Sequence, residues 1–275
     1  MGEQRRDESA MYGVPRPAST VVVVRDHERG LQTLLLRRHA RSGFAADRWV
    51  FPGGAVDSGD RTLATDRWTG VDPDALASRF GDQPPDVLGF HVTAVRETFE
   101  ESGLLVGGPA RLPVRARAAG RAECARAGTA EAFAAWLARE DIRLDLAHLT
   151  YLSRWVTPRG QPKRYDACFF LVAVPRGQRA AHDGVELTDS DWVRPAEALE
   201  RKAAGTMALM PPTEHTLRWL RGYHDARSAL SSAAEQSAVV AVHPRMERGP
   251  AGWEIVVPSH APGGSGVLPV PGGHR

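Results

Sequence analysis

Glu97, Glu100 and Glu101 stand at i, i+3 and i+4 within Arg96-Glu97-Thr98-Phe99-Glu100-Glu101-Ser102-Gly103-Leu104. On a helix this spacing puts three carboxylates on one face. Gly103 is a natural helix stop, because glycine enters the left-handed region cheaply. Glu100 and Glu101 then fall in the last turn, where the macrodipole disfavours negative charge. Three like charges at that end need compensation. Hard divalent cations such as Mg²⁺ or Mn²⁺ supply it, and they choose oxygen ligands. Arg96, next to the cluster, is suited to orient a carboxylate through a charge-assisted hydrogen bond. Charged helix faces are common, so a plain solvated face is the alternative. A partner elsewhere in the chain decides between the two.

That partner is Phe51-Pro52-Gly53-Gly54-Ala55-Val56-Asp57-Ser58-Gly59-Asp60. Gly53 and Gly54 allow a tight turn and close approach of main chain to a ligand, and a carbonyl such as that of Gly54 can join a metal's shell. Alone, Pro-Gly-Gly would be an ordinary surface turn. Together the two pieces resemble the Nudix box, G-x5-E-x7-R-E-U-x-E-E-x-G-U with U aliphatic. The resemblance implies an α/β (α+β) fold, a Nudix-type α/β/α sandwich with a mixed sheet and the box as loop-helix-loop. It also implies a metal-dependent enzyme that cuts the pyrophosphate of a nucleoside diphosphate linked to another moiety. Glu97 and Glu101 would be the principal Mg²⁺ or Mn²⁺ ligands and Glu100 a third ligand or a base. The carbonyl of Gly53 or Gly54 would complete the shell, and Arg96 would orient a box carboxylate.

Two departures from the pattern matter. Asp60 stands where the box has glutamate, and 35 residues separate it from Arg96, where seven are usual. The insert, roughly 61–88, contains Pro73, Pro84 and Pro85 and a short helical stretch near 74–80. Loops of this length often act as lids or binding loops, so the insert is expected to border the substrate cleft. A passive surface insertion is the alternative. A box interrupted in this way is similar to the type-19 coenzyme A diphosphatase branch. That similarity implies cleavage of coenzyme A or acyl-coenzyme A to 3′,5′-ADP and a 4′-phosphopantetheine species. The alternatives are an ADP-ribose, NADH or dinucleoside polyphosphate hydrolase, or a non-catalytic Nudix-fold ligand-binding module. The module would be expected to lose box carboxylates that this chain keeps.

A general base can lie outside the box. Glu186, in Asp183-Gly184-Val185-Glu186-Leu187, is the first candidate and Asp191 the second, against the alternative of a surface-turn acid. Arg37, Arg38, His39, Arg41 and Arg48 form a basic stretch ahead of the glycines, and Lys163 and Arg164 a second group. Guanidinium groups suit bidentate phosphate recognition. The stretch Leu35-Leu36-Arg37-Arg38-His39-Ala40 running to Phe51-Pro52-Gly53-Gly54 is loosely similar to the coenzyme A signature that precedes the box. Arg37, Arg38, Arg41, Arg48, Lys163 and Arg164 are therefore the expected substrate contacts. Trp49, Trp155 and Trp192 read as packing residues.

Elements must position these groups. Thr20–Val24 and Leu31–Arg38 read as two strands of a hairpin. Val87–Ser102 reads as the box helix, with apolar positions on one stripe. Residues 111–139, rich in Ala and Arg, read as a helical addition, notably Ala130–Arg139. Thr150–Thr157, Tyr165–Val174 and Ser190–Val193 read as strands, and Pro195–Ala204 and Thr213–Ala229 as helices. Trp253–Val257 reads as a late strand, with disorder expected from Ala261 onward. This divides the chain into a flexible tail 1–17, a domain 18–230, and a partly disordered extension 231–275.

The chain has 275 residues, 42% of them hydrophobic, which suffices for a core. A net charge of +2 argues against a nucleic-acid-coating protein. Cys124 and Cys168 are the only cysteines, so no disulfide framework or Cys-rich metal site is expected. The first residues are charged and lack an apolar signal core, and no run is long enough to span a bilayer. A cytoplasmic protein acting on a small nucleotide diphosphate derivative, with no nucleic-acid or membrane partner, is expected. A homodimer is left open.

Overall fold

The structure, a computed structural model, describes residues 13–40, 46–72, 74–75, 87–182, 187–236, 239–250 and 252–269. Four valines set its organisation. Val21 and Val23 point to one face of strand β1 (Arg16–Arg25) and Val22 and Val24 to the other, and all four are buried. A strand buried on both faces must lie inside a sandwich. β1 pairs in parallel with β8 (Tyr165–Ala173) and antiparallel with β2 (Gln32–Arg38) and β4 (Gly53–Ala55). The eight-stranded mixed sheet continues through β7 (Thr150–Val156) to β10 (Ala241–Val242) on one side, and through β3 (Trp49–Val50) and β9 (Leu187–Val193) beside β2.

Three helices cover the Val21/Val23 face: α1 (Val87–Ser102), α2 (Val114–Ala127) and α3 (Ala130–Arg139). Phe99 of α1 stacks on Trp136 of α3, with centroids 4.6 Å apart. The Val22/Val24 face carries α4 (Pro195–Ala203), α5 (Pro211–Leu220) and α6 (Ala226–Ala234). A three-stranded sheet, β11 (Arg245–Gly249), β12 (Gly252–Val257) and β13 (Gly266–Pro269), adds Ile255, Val257 and Leu268 to that core. Among the described residues no helix is long and apolar enough to cross a membrane.

Several elements differ from the sequence reading. β1 begins at Arg16, inside the expected tail, because Arg16 and Pro17 pair with Tyr165 and Asp166. The single helix expected over 213–229 is two. α5 ends near Leu220, and Asp225 restarts the chain as α6 by accepting a hydrogen bond from the Ser228 amide. The segment after Ala261, expected to be disordered, supplies β13, which pairs with β12.

The first half of the insert is docked. Leu63 is buried, and Trp68 and Val71 pack against the core beneath α1. Strand β5 (Trp68–Thr69) pairs with β6 (Leu144–Asp145), which follows α3. The second half, including Pro73, Pro84, Pro85 and most of the helical stretch expected near 74–80, lies outside the described residues.

Candidate active site

The two box pieces meet through Asp60 and Arg96. Asp60 is fully buried near the start of a short 3₁₀ turn (Gly59–Thr62). Arg96 donates to it twice, from Nε to Oδ1 and from Nη2 to Oδ2, each at 2.8 Å. The Thr93 hydroxyl at 2.7 Å and the Asp57 amide at 2.9 Å also donate to Oδ2. A buried carboxylate needs such partners, and here both oxygens have them. Aspartate reaches Arg96 because the turn brings it to the flank of α1.

The third guanidinium nitrogen serves the acidic face. Arg96 Nη1 donates to Glu97 at 2.9 Å and to Glu100 at 3.2 Å. Burial opposes the charge on Arg96, but its hydrogen bonds to Asp60 and the charges of Glu97, Asp60 and Glu100 outweigh it and raise its pKa. Glu100 is also buried, and burial pushes its carboxyl up to about 8, with Arg96 opposing and Glu97 adding. Its Oε1 has no hydrogen-bond partner among the described residues.

Strand β4 lies against the same face. The Gly53 amide donates to Glu101 Oε2 at 2.9 Å. Gly54 stands so close to Glu97 that a Cβ there would overlap its carboxylate. Glu97 and Glu101 thus flank the glycine turn, while Glu100 turns toward Arg96. Among the described residues no three His, Cys, Asp or Glu side chains converge into a ready cage.

A divalent cation nonetheless fits the donor set. Two hard carboxylates sit at an approachable backbone turn, next to a buried carboxylate oxygen without a partner. Mg²⁺ is commonly held by one or two carboxylates, with substrate phosphates and water completing its shell.

The carboxyl end of α1 has a device that motif reading missed. Gly103, at φ +75°, ends the helix with its amide on Phe99 O. Arg121 of α2 then donates to Glu100 O at 3.1 Å, Glu101 O at 2.7 Å and Ala181 O at 2.7 Å. A cation therefore sits where the dipole and the acidic cluster are both negative. The only sequence signal was the Ala/Arg-rich composition of residues 111–139.

The expected cations do not gather at the box. Arg38 shares its side of β2 with Leu34 and Leu36, which pack under α1, and its buried Nε has no hydrogen-bond partner among the described residues. Arg37 points to the other face and pairs with Asp47 at 2.7 Å. Arg48 donates to Leu209 O on that same far face. Arg164 is tied to Thr157 O and Gly13 O, and desolvation lowers its pKa. Lys163 is exposed beside it. Arg41 and Glu186 lie outside the described residues. Asp191, the second candidate base, pairs with Arg201 at 2.7 Å and sits opposite Leu35, on the face away from the box helix. Trp49 and Trp155 are buried packing residues, and Trp192 is covered by Arg25 at 4.2 Å.

Comparison with known proteins identifies the family and the fold. The model of the NUDT19 Nudix domain matches residues 72–220. The acyl-coenzyme A diphosphatase NUDT19 of Homo sapiens is 29% identical over 239 residues, covering 70% of this chain and 61% of that protein. Its Gallus gallus counterpart is 30% identical over 228 residues, covering 68% and 60%. The chain thus spans about three-fifths of the length of these relatives. The crystal structure of a NUDIX hydrolase from Alicyclobacillus acidocaldarius superposes with a TM-score of 0.68 at 30% identity, covering 79% of this chain and 96% of that one. The matched residues contain the box helix, and the sandwich is shared with that hydrolase: the chain belongs to the NUDT19 Nudix domain family.

Proposed function

We propose that the chain is a metal-dependent pyrophosphohydrolase acting on coenzyme A or acyl-coenzyme A, releasing 3′,5′-ADP and a 4′-phosphopantetheine species. One observation carries the reaction type: Arg96 holds Asp60, Glu97 and Glu100 together, with Glu101 against the glycine turn. The names of the NUDT19 relatives support the substrate.

Glu97 and Glu101 would hold the cation, Mg²⁺ or Mn²⁺, with the Gly54 carbonyl as an additional oxygen. When bound, the ion neutralises the pyrophosphate oxygens and so lowers the barrier to attack. Glu100 is the base we assign within the described residues. Its unpartnered Oε1 accepts the proton of the water that attacks one phosphorus. The bond from that phosphorus to the bridging oxygen breaks, and the other half leaves as a phosphate monoester. Arg96 is a positioning residue, and Arg38 is the cation placed to meet a substrate phosphate on the box side. Nothing in the assignment calls for a nucleic-acid or membrane partner. The test is a panel of nucleoside diphosphate derivatives incubated with Mg²⁺ and with Mn²⁺, products identified by mass. Coenzyme A or its acyl esters should give the highest kcat/KM.

A further inference from the structure

Thr93 lies one turn ahead of the acidic face, three residues before Arg96 and four before Glu97, and is fully buried. In a helix, a threonine or serine hydroxyl ordinarily donates back to the carbonyl three or four residues earlier. Ser102 of the same helix does so, at 2.6 Å to Thr98 O. Thr93 does not. Its hydroxyl has one proton to give, and that proton goes to Asp60 Oδ2 at 2.7 Å, from 33 positions away in sequence. The hydroxyl serves the box and not its own helix.

The Arg96 fork fixes Asp60 only relative to the guanidinium plane, from Nε to Oδ1 and from Nη2 to Oδ2. A fork alone lets the two planar groups swing together, because the terminal torsion of an aspartate is broad. Thr93 holds Oδ2 from a second point on the same helix, and the Asp57 amide holds it from the turn at 2.9 Å. The carboxylate is thus tied to α1 at two positions three residues apart, and the guanidinium cannot swing without breaking one tie. The arm that would move is Nη1, which donates to Glu97 at 2.9 Å and to Glu100 at 3.2 Å.

We propose that Thr93 is a positioning residue of the reaction: its hydroxyl, acting through Asp60 and Arg96, sets the direction of the Glu97 and Glu100 carboxylates. This rests on the pyrophosphohydrolase reading and adds to it a residue at a position that the box pattern leaves unspecified. Groups that orient a metal's ligands from behind change affinity or activity by roughly tenfold to a hundredfold when they are lost.

Two readouts on the full chain test it: Mn²⁺ affinity without substrate, read by electron paramagnetic resonance, and kcat and KM on coenzyme A. Thr93→Val keeps the shape and removes the proton. It should weaken Mn²⁺ binding and lower kcat, each by roughly tenfold or more, while KM stays near the wild-type value. Thr93→Ser keeps the hydroxyl and should restore both. Thr33→Val is the matched control, because Thr33 is also fully buried and donates to Val23 O at 2.9 Å, between β1 and β2. It should lose stability but neither Mn²⁺ affinity nor kcat. Where Thr93→Val folds poorly, Thr93→Ala against Thr93→Ser gives the same comparison. Wild-type affinity and kcat in folded Thr93→Val, or Thr93→Ser as impaired as Thr93→Ala, overturns the proposal. So does an equal loss in Thr33→Val, which would make the effect one of general stability. Thr93-dependent Mn²⁺ binding without cleavage of any diphosphate would sink the catalytic reading and leave the positioning of the carboxylates standing. Cleavage indifferent to the Thr93 variants would do the reverse.

Discussion

Arg96 and Asp60, 36 positions apart, form a two-pronged ion pair with both arms at 2.8 Å and almost no exposure to solvent. The pair brings the two halves of the split box together across the insert. Removing one partner of a buried pair strands the other charge. Asp60→Ala should therefore lower unfolding free energy by about 3–5 kcal/mol, read by urea denaturation. A loss below about 1 kcal/mol, the range of exposed pairs, would mean that the pair does not hold the box.

Arg121 binds the main chain of Glu100 and Glu101, at 3.1 and 2.7 Å. Arg121→Met should cost about 1.5–3 kcal/mol, the usual range for hydrogen bonds to a charged group. It should also speed hydrogen exchange at the Gly103 and Leu104 amides. An unchanged exchange rate there would show that Gly103, with the Ser102 hydroxyl accepting from the Leu104 amide at 3.3 Å, suffices to end the helix.

Gly54 leaves room for the Glu97 carboxylate. Gly54→Ala should displace Glu97 and lower kcat at least tenfold, on the order expected for a misplaced catalytic group. The melting temperature should change little. Wild-type turnover in a folded variant would remove Glu97 from the site.

His91 is buried against Phe170, with Nδ1 2.8 Å from Val87 O. Burial pushes its pKa down to about 4 from the ordinary 6.5, so it is neutral in the folded state at pH 7. The unfolded chain takes up a proton below 6.5 and the folded one does not until about 4. Stability is thus full above pH 6.5 and falls as the pH drops toward 4. His91→Gln should flatten this part of the stability–pH curve. An equally steep curve in the variant would assign the acid sensitivity to other groups.

How much of this was legible depended on how local each cause is. Val87–Ser102 and Ala130–Arg139 were read at their observed bounds, because periodicity and flanking stop signals lie within the segments. The Nudix-type sandwich and the pairing of the two box pieces followed from motif residues. The break between α5 and α6 was missed, although Gly222 and the Asp225 cap are visible in sequence. The register of β13 was not legible, since its partner β12 and the core that takes up Leu268 are set by tertiary packing. The same holds at the site. Two of the expected arginines, Arg37 and Arg48, fell on the far face of the sheet, because strand alternation and a loop crossing decide direction. Arg121 could not be found from a motif, because a helix end capped from another helix leaves no spacing to read.

The most direct test of the central claim is cleavage of coenzyme A by the wild type and by Glu101→Gln, with Mg²⁺ present and then removed by chelation, products identified by mass. The wild type with Mg²⁺ should release 3′,5′-ADP and 4′-phosphopantetheine. The rate should be lower by orders of magnitude in folded Glu101→Gln, and zero after chelation. Intact coenzyme A with the wild type and Mg²⁺, or undiminished cleavage by Glu101→Gln, would contradict it.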